Sequence, residues 1–72
     1  MCLAIPGKVI KIIDKEQAEV LMGKIKKVVR IDLLPDVREG DYLLIHAGYA
    51  ITKINEKEAR EINKAWEEIQ HG

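Results

Sequence analysis

Five short apolar runs, separated by turns rich in glycine, proline and aspartate, constrain the fold of this chain more than any other feature. Their β-branched and aliphatic residues are typical of strands. The runs cover residues 9–13, 17–22, 25–33, 42–45 and 49–54. Short strands at this spacing are typical of small barrels, in which closure removes the free strand edges that favour aggregation. We therefore expect a mainly β protein in which residues 1–54 form a five-stranded β-barrel.

The third run departs from the alternation of a half-buried strand. Val28 and Val29 place two apolar residues next to each other. Successive side chains of a strand point to opposite faces, so either one valine faces solvent or the strand bulges at this point. The sequence leaves both possibilities open.

A C-terminal α-helix is predicted over residues 55–70. Asn55, followed three residues later by Glu58, fits an N-cap with a capping-box partner. The apolar residues that follow recur on one helical face, and charged residues cover the other. We expect Trp66 to anchor that face against the barrel, because aromatic side chains dominate burial energetics, and we assign no role to His71. The apolar face consists of Ala59, Ile62, Ala65, Trp66 and Ile69.

The bulk composition is typical of one soluble domain. The 72 residues are 47% hydrophobic and 33% charged, and twelve basic residues balance twelve acidic ones. A net charge of zero argues against a nucleic-acid partner, which needs a basic surface. No apolar run approaches the roughly 18 residues of a membrane span, no signal peptide is visible, and the single cysteine cannot form an internal disulfide. We expect a cytoplasmic protein without a membrane partner.

Cys2, the only cysteine, directly follows the initiator methionine. Removal of Met1 would leave a thiol beside a free α-amino group, and the neighbouring ammonium would favour the thiolate. The thiolate is the nucleophilic and metal-binding form of cysteine. A lone cysteine can equally be a small buried hydrophobe without chemistry. Position and count leave both interpretations open.

Two blocks of sequence, in this order, resemble the hydrogenase maturation chaperones of the HypC/HybG family, also called HupF. The first block covers residues 1–9, MCLAIPGKV, and the second covers residues 40–51, GDYLLIHAGYAI. Members of that family begin with Met-Cys, small or aliphatic residues, proline and then a basic residue. Their second half carries a Gly-Asp-aromatic-aliphatic-His-x-Gly-aromatic-Ala stretch. The resemblance runs over nearly the whole chain and is consistent with a small OB-like β-barrel followed by a helix.

The resemblance implies a chaperone and iron-group carrier for the active site of nickel–iron hydrogenases, with no catalysis by the chain itself. It implies two partners, the iron–sulfur maturation protein HypD and the precursor of the hydrogenase large subunit. With HypD, such a protein helps to assemble an iron carrying cyanide and carbon monoxide, Fe(CN)2CO, which it then helps to deliver to the precursor. Cys2 would be an iron ligand or key contact, and His46, which the resemblance places near Cys2, a weaker second candidate. A thiolate and an imidazole both suit iron but cannot hold it securely, so we expect a transient iron shared with a partner.

The partner-binding site is expected on an exposed N-terminal segment, residues 1–7, together with His46. Pro6 and Gly7 would set the angle at which this segment leaves the barrel, because proline fixes its φ angle and glycine tolerates unusual dihedrals. The apolar Leu3 and Ile5 would enter a cleft of the partner. The residues alone equally allow a plain turn at 6–7, and at 46 they favour a core histidine bonded to the backbone. The complete predicted site is Cys2, Leu3, Ile5, Pro6, Gly7 and His46.

Two other classes of function compete with this interpretation. An OB-like barrel can bind nucleic acid, but the zero net charge and three scattered aromatic residues do not fit the basic groove and stacking platforms of such a module. A small thiol-dependent enzyme would need an oriented base, an oxyanion hole and a substrate cleft, for which the sequence contains little.

Overall fold

The computed structural model describes residues 4–62, which form a closed five-stranded barrel followed by the first turns of a helix. Strands follow one another around the barrel in the order β1-β2-β3-β5-β4, and β4 pairs with β1. Every pairing is antiparallel except the short β3–β5 contact. The predicted mainly β, five-stranded, OB-like barrel is confirmed. The strands are β1 (Ile5–Ile12), β2 (Gln17–Met22), β3 (Ile25–Arg30), β4 (Tyr42–His46) and β5 (Tyr49–Ile54), and helix α1 runs over 56–62 within the described residues.

β1 begins four residues earlier than predicted, and this corrects the expectation that residues 5–7 belong to an exposed N-terminal segment. Residues 5–8 pair with residues 42–45 of β4, and both Pro6 and Gly7 are buried. The sequence indicated a turn here because proline and glycine are poor strand formers. Proline is tolerated because pairing with β2 begins only at Lys8, beyond the position that lacks an N–H group. Pairing with β4 overrides the local preference.

β3 is shorter than predicted, because it ends at Arg30 rather than residue 33. The N–H of Ile31 donates to the carbonyl of Glu16 at 2.8 Å, which directs the chain toward the β1–β2 loop. Within β3, Val28 is 52% exposed and Val29 only 3%. The solvent-facing alternative for adjacent valines is therefore the correct one.

The core between the strands is entirely aliphatic. Leu43, Val9 and Val20 are its largest fully buried side chains. Among residues 4–62, no buried side-chain nitrogen or oxygen lacks a hydrogen-bond partner. Stability of the barrel therefore depends on close packing of small side chains. The full cluster is Val9, Ala18, Val20, Val29, Ile31, Leu43, Ile45 and Ala50.

Gly7 lies where β1 passes closest to the side chains of its neighbours. A Cβ atom built on Gly7 would lie 2.7 Å from Cδ1 of Ile45, 3.2 Å from Cγ of Met22 and 3.4 Å from Cβ of Val20. The first two distances are shorter than an ordinary contact between carbon atoms, and the third is at its lower limit. Only glycine fits this position without displacing its neighbours.

We predict that Gly7→Ala lowers the free energy of unfolding by about 1–3 kcal/mol, the usual cost of overpacking. Ile45→Val removes the Cδ1 atom that the new methyl group meets. The double variant should therefore lose less stability than the sum of the two single variants, because the substitutions are coupled. Chemical denaturation of the four proteins measures this coupling, and additive losses would contradict the proposed clash.

Helix α1 begins with the predicted capping box. The Glu58 N–H donates to Oδ1 of Asn55 at 2.7 Å, and the Asn55 N–H donates to Oε1 of Glu58 at 3.3 Å. Ala59 is buried and Ile62 half-buried, as expected for the barrel-facing side. The predictions for Ala65, Trp66, Ile69 and His71 lie outside the described residues. No helix in the described range is long and apolar enough to cross a membrane.

We predict that Asn55→Ala lowers the free energy of unfolding by about 1 kcal/mol, because the N–H of Glu58 loses its side-chain acceptor. Asn55→Ser keeps a capping oxygen and should stay close to the wild-type value. Thermal and urea unfolding followed by circular dichroism provide the comparison. If both variants lose the same free energy of unfolding, residue 55 does not stabilise the protein by capping the helix.

Candidate functional site

The predicted site residues within the described range are brought to one edge of the barrel by the pairing of β1 with β4. Ile5 pairs with Ile45, and His46 is the next residue of β4. Continuing this antiparallel register by one position sets Ala4 opposite His46. The chain therefore enters the barrel beside His46. Cys2 and Leu3 lie outside the described residues.

The described site residues differ in their exposure. His46 is exposed, so it is not a core histidine. Ile5 is half-buried, whereas Pro6 and Gly7 are buried and paired with β4. These two residues are part of the wall of the barrel. They lie within a strand and not in the turn that the residue types allowed.

His46 is carried by a tight and strained hairpin. His46 pairs with Tyr49, and the two residues between them both have positive φ angles, 53° at Ala47 and 83° at Gly48. Two positive angles are characteristic of the type I′ turn, which matches the twist of the strands. The left-handed conformation costs alanine about 1–2 kcal/mol. The carbonyl of Gly48 accepts the Arg30 N–H at 2.9 Å, which holds the turn against β3.

Arg30 binds two carboxylates beside this hairpin. Its guanidinium donates to both carboxylate oxygens of Asp32, at 3.1 and 2.9 Å, and to Glu16 at 3.0 Å. Arg30 is also the residue of β3 that pairs with Tyr49 of β5. The hydrogen bond from Arg30 holds the pKa of Asp32 below its usual range, and Asp32 in turn raises the pKa of Arg30. Arg30 and Asp32 are two residues apart in sequence, but sequence reasoning missed the cluster because Glu16 joins it only through the pairing of β2 with β3.

We predict a specific pH dependence from the lowered pKa of Asp32. The stabilising interaction is complete above the pKa of an unfolded aspartate and is lost as the pH falls through the lower folded value. Arg30→Gln should raise the pKa of Asp32 toward its ordinary value, and the stability difference between the two proteins should shrink in acid. Carboxyl ¹³C NMR titration measures the first effect and urea unfolding the second. An unchanged titration midpoint would exclude Arg30 as the cause.

Two shallow grooves flank the start of β1. One, of about 220 Å³, lies between β1, β2 and β4, where Nζ of Lys8 stands 5.8 Å from the ring centre of Tyr42. Pro6 and Gly7 contribute to it. The other, of about 290 Å³, is bordered by Ile5. Sequence reasoning predicted neither groove. The lysines that follow Gly23 are the feature of the sequence that could have indicated the second groove. This second groove is lined by Ile5, Met22, Ile25 and Lys27.

The described residues do not form a complete metal site. Among residues 4–62, no three histidine, cysteine, aspartate or glutamate side chains are grouped so as to hold a metal ion. At the β1–β4 edge, His46 is the described side chain with the chemistry of an iron ligand. Further ligands for an iron group at this edge would have to come from outside the described residues or from another molecule.

Comparison with known proteins identifies close relatives. The model of the HupF/HypC family matches residues 1–66. Hydrogenase maturation factor HypC of Helicobacter hepaticus is 43% identical over 70 residues, which cover 96% of this chain and 81% of the relative. HypC of Azotobacter chroococcum is 40% identical over 60 residues, covering 83% and 71%. HypC of Escherichia coli K12 is 37% identical over 67 residues, covering 85% and 73%.

Proposed function

The chain belongs to the HupF/HypC family, and on this premise we propose that it is a hydrogenase maturation chaperone. In this proposal it helps to assemble the Fe(CN)2CO group together with HypD and delivers the group to the precursor of the hydrogenase large subunit. Relatives that align with most of the chain are named hydrogenase maturation factors. The structural observation that supports the proposal is that β1 begins at the edge of the barrel beside His46. The cyanide and carbon monoxide chemistry belongs to the partners, and no catalysis is assigned to this chain.

Cys2 is the proposed principal contact with the iron group. It precedes Ala4 by two residues, and two residues of extended chain span at most about 7 Å. The thiol is thus tethered to the edge that carries His46. A thiolate and an imidazole are both suitable iron ligands, and the diatomic ligands and the partner would complete the coordination. Because the free thiol requires a reducing compartment, we also propose a cytoplasmic location.

His46 has a supporting role in this proposal. Its backbone is fixed by the type I′ hairpin and by the hydrogen bond from Arg30 to Gly48. A fixed imidazole beside a tethered thiol can orient the iron group while the thiol carries it between partners. Leu3 and Ile5 supply apolar contacts to the partner, and the buried Pro6 and Gly7 hold the tether in position.

We predict that Cys2→Ser abolishes iron loading and leaves the barrel intact, because β1 begins only at Ile5. The measurement is iron content and the infrared bands of cyanide and carbon monoxide, on the isolated chain and on its complex with HypD. Loading should be weak on the isolated chain and strong in the complex. Unfolding temperatures of the variant and wild type should agree, and a large loss of stability would make Cys2 a core residue.

The two histidines of the chain offer a matched pair of variants. His46→Ala should weaken the infrared bands less than Cys2→Ser does, and His71→Ala should leave them unchanged. Undiminished bands in Cys2→Ser would remove Cys2 as a ligand. Bands lost in His46→Ala but retained in Cys2→Ser would make the histidine the principal iron contact.

A further inference from the structure

The β2–β3 hairpin concentrates positive charge that takes part in no ion pair among the described residues. From residue 20 to residue 31 the chain contains no acidic residue, whereas Lys24, Lys26 and Lys27 lie within it. All three lysines are exposed. The ion pairs among residues 4–62 involve other basic residues, namely Arg30, Lys53 and Arg60. The net charge of zero therefore conceals a locally basic surface.

Beside these lysines, the inner face of the barrel is open to solvent. Met22 pairs with Ile25, and Lys27 pairs with the fully buried Val20. Cross-strand partners share a face, so Met22, Ile25 and Lys27 all stand on the face that lines the core. Ile25 is nevertheless 61% exposed, because the hairpin extends beyond the strands that would cover it. With Ile5 these side chains form the groove of about 290 Å³, which we call the barrel mouth.

We propose that the barrel mouth, with Lys24 and Lys26 at its rim, docks a segment of a partner protein in which carboxylates flank aliphatic or aromatic side chains. This inference rests on the proposed function and names the chemistry of the partner surface. The mouth offers an apolar surface for one or two side chains of the segment, and burial of such side chains supplies affinity. The lysines accelerate encounter with an acidic surface and select against basic ones.

The composition of the mouth favours a protein segment over nucleic acid. Its lining residues are three aliphatic or thioether side chains and one lysine, without an aromatic ring. Single-stranded nucleic acid is bound on stacked aromatic rings along a basic groove. A concave groove with an apolar lining instead suits the insertion of partner side chains. Ile5 lines the mouth and directly follows Ala4, so a docked segment lies beside the tether of Cys2.

The test compares two charge-reversed proteins with the same net charge. Lys24→Glu/Lys27→Glu changes the mouth, and Lys15→Glu/Lys57→Glu changes exposed lysines elsewhere. Association with HypD and with the large-subunit precursor is measured by stopped flow at several salt concentrations. For at least one partner, the mouth variant should associate at least tenfold more slowly than the control and lose most of its salt dependence. Equal rates and equal salt dependence in the two variants would overturn the proposal.

A peptide probe separates this inference from the proposed function. The probe is an acetylated, amidated Asp-Leu-Glu-Trp-Leu-Asp-Glu peptide, with a second peptide that has lysine at every acidic position. NMR spectra should show salt-sensitive shifts at Ile5, Met22 and Ile25 with the acidic peptide only, and Ile25→Ser should weaken them. Peptide binding by a chain that forms no complex with HypD or with the large-subunit precursor would support the inference and reject the proposed function. If complexes with these partners require Cys2 but form normally with the mouth variant, the proposed function is supported and the inference about the barrel mouth is rejected.

Two further measurements would detect other occupants of the mouth. Sedimentation would detect a dimer that dissociates in the mouth variant, which would identify a second copy of the chain as the occupant. Salt-sensitive binding of a fluorescent oligonucleotide, lost in the mouth variant but not in the control, would identify nucleic acid. Either result, obtained without acidic-peptide binding, would overturn the proposal.

Discussion

The rest of the structure depends on the close pairing of β1 with β4, which Gly7 makes possible. A side chain larger than hydrogen at Gly7 would meet Cδ1 of Ile45 at 2.7 Å. Because glycine leaves room for the side chain of Ile45, β1 can pair with β4 from Ile5 onward and close the barrel. The same register sets the entry of the chain beside His46. One packing constraint thus both closes the core and brings the N-terminal segment to the edge on which the proposed site depends.

The opposite side of this edge is held by a second and different kind of interaction. Arg30 joins β3 to the hairpin through its backbone N–H and joins two acidic residues through its guanidinium. The ion pairs are exposed, so their contribution to stability is modest. The backbone hydrogen bond from Arg30 to Gly48 instead holds in place a turn in which Ala47 has a strained φ angle of 53°. Strain of this kind persists only where surrounding structure imposes it, and it is common at functional sites.

Local sequence patterns predicted the elements, and their failures have one physical origin. The capping box of Asn55 and Glu58 and the bounds of β2 and β5 were correct, because they depend on neighbours in sequence. The burial of Pro6 and Gly7 within β1 was not predicted, because it depends on β4, more than 30 residues away. The contact of Arg30 with Glu16, and the position of Ile5 beside the β2–β3 hairpin at the barrel mouth, were missed for the same reason. Strand pairing determines them, and no local pattern encodes the register.

The zero net charge illustrates how a bulk property can conceal a local one. It argues against an extended nucleic-acid surface, which requires many unpaired cations. It does not describe the β2–β3 hairpin, where three lysines lie in four residues and none of them takes part in an ion pair among the described residues. Charge confined to one hairpin can orient a partner there. The effect stays local, because dissolved ions screen the electrostatic interaction beyond about 8–10 Å in physiological salt. The barrel mouth is bordered by Ile5, which pairs with the residue before His46, so in the proposed docking a partner oriented by the lysines would lie close to the edge that carries His46.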